Sequence, residues 1–212
     1  MLKKEKINFF KNTLFEMFPD AVTELQYDNE FQLLIAILMS AQTTDKQVNK
    51  VNRNFFHHLK TPQDWIDMWV EEIKDFIDSI SFYNNKAQNI YKTCVLLKNE
   101  YNNAIPHDVI ELQKLYWVWV KTAKVFLAVI DNAPFLWVDT HVHRVLNRVW
   151  FVNTKNPLQT DKVADKIFSK DDLAMLHNTL IFFWRYQCMA RKPKCLTCKV
   201  SSICKYYKKE NK

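Results

Sequence analysis

Apolar residues recur at helical spacing along most of the chain. Phe31, Leu34, Ile35 and Leu38 mark one face of a helix, and Leu33 and Ile37 carry the apolar surface further round the axis, so this helix is predicted to be buried. The same recurrence predicts helices over 5–17, 45–59, 70–79, 86–101, 108–114, 120–131, 140–151, 160–168 and 171–186. Ser40 and Thr44 ahead of "DKQVNKVNRNFF", Thr61 with Pro62, and Asn84 ahead of "KAQNIYKTCVLL" read as helix starts, because their side chains can accept the first amide hydrogens. Alternating segments bounded by turn residues are missing, so the expected fold class is all-α. No internal repeat is visible, and the Lys-rich end "KYYKKENK" reads as a frayed, solvated tail.

A chain of 212 residues allows one or two compact units. Its formal net charge of +7 favours a polyanionic partner, nucleic acid before an anionic membrane surface. The start, "MLKKEKINFFKNTLFEMF", is basic, but Lys and Asn interrupt its apolar residues, so no signal-peptide core is expected. The longest apolar run, "LLIAILM" at 33–39, is too short to span a bilayer. A cytosolic protein is expected, in which thiols stay reduced and clustered cysteines read as metal ligands before disulfides. An average chain of this length holds roughly 15 glycines. This one holds none, so something systematic removed them.

The C-terminal stretch "CMARKPKCLTCKVSSIC" places Cys188, Cys195, Cys198 and Cys204 as C-x6-C-x2-C-x5-C. A structural zinc site usually combines two close pairs, whereas a cubane cluster takes one thiolate per corner and tolerates uneven gaps. The spacing favours iron–sulfur and leaves zinc open. The first gap carries Arg191, Lys192 and Lys194, a cationic loop suited to phosphates. Cys94, alone on a helical pattern, reads as a buried core thiol.

Five stretches, "LLIAILMSAQTTDKQVNK", "ISFYNNKAQNIYKTCVLL", "KTAKVFLAV", "VDTHVHRVLNRV" and "RYQCMARKPKCLTCKVSSIC", together resemble the endonuclease III family of helix-hairpin-helix DNA glycosylases with a [4Fe-4S] cluster. The similarity runs in one register from about residue 4 to residue 207, and the cysteine spacing and "VDTHVHRV" are its most specific parts. The resemblance implies two all-α domains. A six-helix domain with the hairpin covers 23–132, and 1–22 joins 133–212 in a helical domain carrying the cluster loop, with DNA across the cleft between them. It implies a [4Fe-4S] cofactor on the four cysteines. The expected partner is double-stranded DNA containing damaged pyrimidines or abasic sites, bound by a cytoplasmic, nucleoid-associated monomer with no membrane role.

The family's hairpin reads L-P-G-V-G-x-K-T-A; here the segment is Leu115, Tyr116, Trp117, Val118, Trp119, Val120, Lys121, Thr122, Ala123. Both glycines are tryptophans, although glycine lets the backbone turn tightly and bring amide hydrogens up to a phosphate. Phosphate binding by the hairpin is expected to suffer. Trp69, Trp150 and Trp184 also fall where relatives commonly carry glycine, making five of the seven tryptophans. One cause explains both facts: a lineage that reads the UGA codon as glycine, its gene translated with a table that reads tryptophan. Ser81 and Asn103 replace family glycines genuinely. Read as real aromatics, the tryptophans would instead pack in a remodelled hairpin.

The resemblance makes Lys121 the nucleophile and Asp139 its carboxylate partner. Alone, a lysine before an apolar run is ordinarily a surface residue at a helix start, and an Asp followed by Thr ordinarily caps a helix. A lysine amine attacks a sugar carbon only when neutral, and an ordinary lysine at about pKa 10.4 is under roughly 0.1% neutral at pH 7. The implied dry cleft and positive helix end favour the neutral form. A base must be flipped out of the duplex and its gap filled. The match gives that task to Gln42 as a polar plug and Phe82, larger than the family's usual Leu, as an apolar wedge. Asp45 and His141 line the cleft in relatives. Arg144, Arg148 and Arg185 are candidates for phosphate or domain-interface contacts, and a solvated face suits Arg148 equally. The adenine-mismatch branch carries a catalytic Glu where this chain has Ile37 and a Ser where it has Lys121, which disfavours it. Two other readings stay open: a non-catalytic iron–sulfur DNA-binding protein with a disrupted hairpin, and a zinc-binding nucleic-acid module.

Overall fold

Side chains that accept the first amide hydrogens decide where many of the helices begin. The computed structural model describes residues 2–164 and 166–210; Met1, Asp165, Asn211 and Lys212 lie outside the described residues. Among the described residues there are twelve α-helices and no strand, in accord with the all-α expectation. The chain divides into two compact units, Glu24–Asp131 and a second formed by Met1–Thr23 with Asn132–Lys212.

The first unit holds α2 (Glu30–Ser40), α3 (Asp45–Phe55), α4 (Pro62–Ile66), α5 (Val70–Phe76), α6 (Tyr83–Tyr101), α7 (Val109–Leu112) and α8 (Val120–Ile130). Asn29 caps α2, its side chain accepting from the Gln32 amide at 2.9 Å. Every residue from Phe31 to Met39 is buried, so α2 is the central helix, packed by α3, α6 and α8. Thr44 caps α3, and Thr61 with Asp64 closes a reciprocal capping box around Pro62 at the start of α4, both as predicted. Ser40 departs from expectation. It ends α2, its hydroxyl donating back to Ile37 O at 2.8 Å. Helix α6 starts at Tyr83, one residue before Asn84, from a left-handed Phe82.

The second unit holds α1 (Lys3–Met17), α9 (Thr140–Val149), α10 (Pro157–Ala164), α11 (Leu173–Phe182) and α12 (Lys205–Glu210). Its core joins Phe10 and Leu14 of α1 to Val142, Val145, Leu146 and Val149 of α9 and to Leu176 and Leu180 of α11. The pattern over 171–186 is not one α-helix: a π-helical turn over Phe183–Gln187 follows α11 and lets the Cys188 amide bond back to Phe183 O at 2.7 Å. The expected frayed tail is corrected too. Residues Lys205–Glu210 form α12, because Tyr206 lies under the Arg148 guanidinium at 4.5 Å and the Lys205 ammonium sits 3.0 Å from the Trp150 ring centroid.

Candidate functional site

In the first unit, α7 and α8 are joined by the turn that carries the altered hairpin. Buried Leu115 and Val118 anchor it, and the Thr93 hydroxyl of α6 donates to Tyr116 O at 3.1 Å. Trp117 sits at φ 63, in the left-handed region that excludes most side chains by a clash between Cβ and backbone. Trp119 is the N-cap of α8, makes no capping bond, and leaves 72% of its surface exposed. Lys121 occupies the second helical position of α8. It is exposed, which departs from the dry setting expected for it.

Two further loops of this unit carry the expected duplex-entering residues. Gln42, just beyond α2, lies at φ 57, and Phe82, just before α6, lies at φ 60; both are exposed, Phe82 by 58%. Asp45 opens the first turn of α3, half-buried, and burial pushes its carboxyl above the ordinary range. The loops are tied together from below. Lys86 of α6 is 2% exposed, and its ammonium donates to Met39 O at 2.7 Å and Ala41 O at 2.6 Å and reaches Thr43 Oγ1 at 3.4 Å. The Thr43 hydroxyl accepts the Ser81 amide at 3.1 Å. Burial pulls the Lys86 amine down to about 8. The sequence held a signal for it: Lys86 falls on the same face as Ile90, Thr93, Cys94 and Leu97, the buried stripe of α6.

In the second unit, Asp139 is the N-cap of α9, and its Oδ1 accepts the His141 and Val142 amides at 2.8 Å each. Those bonds fix the carboxylate at a helix start. His141 stacks on the Trp184 indole, ring centroids 4.0 Å apart. Arg144 and Arg148, one turn apart on α9, both turn to the cysteine segment. Arg144 donates to Cys188 O at 3.1 Å and lies 2.8 Å from His141 Nδ1. Arg148 donates to Met189 O at 2.7 Å, to Ala190 O at 3.1 Å and to Cys188 Sγ at 3.4 Å. The solvated face considered for Arg148 is therefore not what it has.

Cys188, Cys195, Cys198 and Cys204 all line one cavity, whose other walls include Val145, Val149, Phe183 and Val200. Burial pushes the Cys198 thiol up to about 11, and burial with neighbouring thiolates raises Cys195. Burial raises Cys204 as well, and thiols raised in this way are costly to ionise unless a cation compensates them. Among the described residues no group of three or more His, Cys, Asp or Glu side chains closes to a single-ion site. Four thiols lining one cavity are the number of donors that a cubane cluster takes, one to each corner. Arg191, Lys192 and Lys194 are all exposed on the loop between the first two cysteines, with Lys192 at φ 48. Cys94 is fully buried in the first unit, as expected.

Residues 35–170 match the profile of the HhH-GPD superfamily base excision DNA repair protein. The chain is similar to endonuclease III of Bacillus subtilis, 38% identical over 213 residues that span 100% of this chain and 97% of the relative. Two solved structures share its fold at a TM-score of 0.91 and 41% identity: a non-covalent endonuclease III–DNA complex, covering 100% of this chain and 99% of that one, and a trapped endonuclease III–DNA covalent intermediate, covering 100% of both. A sequence likeness of this extent, running through the hairpin, the capped aspartate and the four-cysteine segment, means that this chain belongs to the endonuclease III family within the HhH-GPD superfamily.

Proposed function

We propose that this protein is a bifunctional base-excision repair enzyme that removes oxidised pyrimidines from duplex DNA and cuts the abasic strand by β-elimination. The observation that carries the reading is the likeness, at 41% identity over the whole chain, to an endonuclease III trapped as a covalent intermediate on DNA. Lys121 is the nucleophile. It stands exposed in the first turn of α8, open to an incoming sugar.

The amine attacks C1′ of the flipped nucleotide, the bond from C1′ to the base breaks, and the base leaves with the electron pair and takes up a proton. The sugar ring opens to an imine on Lys121. Loss of a proton from C2′ then expels the 3′ phosphate, and water releases the amine. Asp139 stabilises positive charge on the sugar and assists proton movement; capping bonds hold its Oδ1 and leave that role to Oδ2. Gln42 and Phe82 fill the space left by the flipped nucleotide, and Asp45 and His141 are the further DNA-contacting residues that the family resemblance implies. Trp117 and Trp119 stand in the phosphate-facing hairpin, and Arg144 supports His141 and the loop of Arg191, Lys192 and Lys194, which meets the backbone phosphates.

Cys188, Cys195, Cys198 and Cys204 would hold a [4Fe-4S] cluster, which supplies a rigid centre for the cationic loop. The protein works on the chromosome, and no described helix is long and apolar enough to cross a membrane. Borohydride reduction with a thymine-glycol duplex tests the reading. A covalent adduct that disappears in Lys121→Ala is expected. No adduct, either with this chain or with Trp117→Gly and Trp119→Gly combined, would favour the non-catalytic DNA-binding reading instead.

A further inference from the structure

Lys86 is a buried ammonium whose nearest groups are two carbonyls and a hydroxyl. An ammonium has three donors, and here they meet three acceptors: Met39 O, Ala41 O and Thr43 Oγ1. The two carbonyls belong to the end of α2, where unsatisfied oxygens carry the negative end of the helix dipole. The Thr43 hydroxyl, reached by Lys86, accepts the Ser81 amide, and Gln47 Nε2 donates to Ser79 Oγ at 2.8 Å beside it. One lysine thus joins the chain on either side of Gln42 to the chain before Phe82. Both of those residues hold left-handed backbone without being glycine, a conformation that persists only where surroundings over-determine it.

We propose that Lys86 is a positioning residue that locks the Gln42 and Phe82 loops into one preformed unit, so that plug and wedge enter the duplex together. This rests on the reading that Gln42 and Phe82 enter DNA. Preformed loops spare the ordering cost that flexible ones would meet while bases are being unstacked.

Fluorescence of a 2-aminopurine placed beside a tetrahydrofuran abasic site, read at saturating protein, reports invasion of the stack separately from affinity. Lys86→Met is expected to cut the invasion amplitude about tenfold and Lys86→Arg to restore most of it, since only the second keeps several donors. Thr43→Val removes the bridging hydroxyl without touching the lysine and is expected to cut the amplitude about threefold, a variant that stays informative if Lys86→Met does not fold. Parental amplitude in Lys86→Met or Thr43→Val, while Gln42→Ala and Phe82→Ala lose it, overturns the clamp alone. Parental amplitude in Gln42→Ala and Phe82→Ala overturns the duplex-entry reading and the clamp with it.

A different observation carries a second inference. Trp117 at φ 63 and Trp150 at φ 69 place the bulkiest side chain in the left-handed region, which glycine enters at least cost and which Gln42, Phe82, Asn102, Asn103, Asn132 and Lys192 of this chain also occupy. Trp69 and Trp119 are 76% and 72% exposed, whereas Trp65 is 2% exposed in the core, where an indole belongs. All this occurs in a chain with no glycine, and with 15 Phe and 8 Tyr, residues whose codons are poor in G and C. We infer that the host reads UGA as glycine at positions 69, 117, 119 and 150, the four of the five tryptophans at family glycine positions that are exposed or left-handed, whereas Trp184 stacks on His141, and that pressure toward A and T moved its glycines to that codon. Mass spectrometry of peptides from the protein isolated from its own cells, with the gene sequence beside it, decides this. Glycine at all four positions with UGA codons, and tryptophan from UGG at 65, is expected. Tryptophan at any of the four, or UGA at 65, overturns it.

Discussion

The cysteine segment of residues 188–204 and the hairpin turn of residues 113–119 are both short and irregular, yet they are specified in different ways. The cysteine segment is defined by its side chains: four thiols on one cavity wall, held by guanidinium groups from α9 that bond Cys188, Met189 and Ala190 carbonyls. The turn is defined by its backbone, with a left-handed residue at Trp117 and a helix start at Trp119 that no side chain caps. A site built from side chains loses its chemistry when those side chains change. A site built from backbone can keep its path under a wrong residue and register the mismatch as strain and exposure.

The contrast can be broken most forcefully at the cysteines. Cys198→Ala removes one of the four thiols proposed to hold a cluster and is expected to abolish visible absorbance near about 400 nm and to unfold the loop, as read by iron content and proteolysis of the 188–204 segment. Retained colour and protection would show that the side chains do not define this site. Arg148→Met takes two carbonyl bonds and a thiol contact from the segment, and should lower stability by about 2 kcal/mol in denaturant unfolding.

Trp117→Gly works in the opposite direction. Relief of the left-handed strain should raise stability by about 1–2 kcal/mol, and duplex affinity should rise with it. A loss of stability would mean that the indole packs productively and that the backbone account of the turn is wrong. The smallest effect lies at the far end of α8, where His107 Nδ1 is 2.9 Å from Asp131 Oδ1 and Nε2 is 3.0 Å from Glu30 Oε2. Burial alone would pull its imidazole down, but hydrogen bonds to Asp131 and Glu30 outweigh it and raise it. A raised folded value contributes stability that is complete below the ordinary histidine range and fades as pH rises through the folded value. His107→Ala should therefore cost less than about 1 kcal/mol at pH 6 and less still at pH 9, the pair being partly exposed.

What the sequence revealed follows the same division. Thr44, Thr61 and Pro62 announced helix starts because caps are local side-chain chemistry, and α2 announced its burial by apolar residues on every face. Ser40 misled because a hydroxyl that can open a helix can also bond back inside the last turn of one. Lys86 went unread: a lysine usually reaches water, and the cage that satisfies it comes from residues 39–43, far along the chain. Helix α12 was missed since its partners, Arg148 and Trp150, lie outside the polar tail itself. Resemblance named Asp139 where spacing named only a cap, and the structure contains that cap.

The central claim is that one amine, in the first turn of α8, bonds to the damaged sugar. Peptide mapping of the borohydride-reduced adduct between the full chain and a thymine-glycol duplex tests it most directly. The account predicts a single DNA-bearing peptide with the modification on Lys121; modification on Lys86, Lys124 or the terminal amine instead would contradict it.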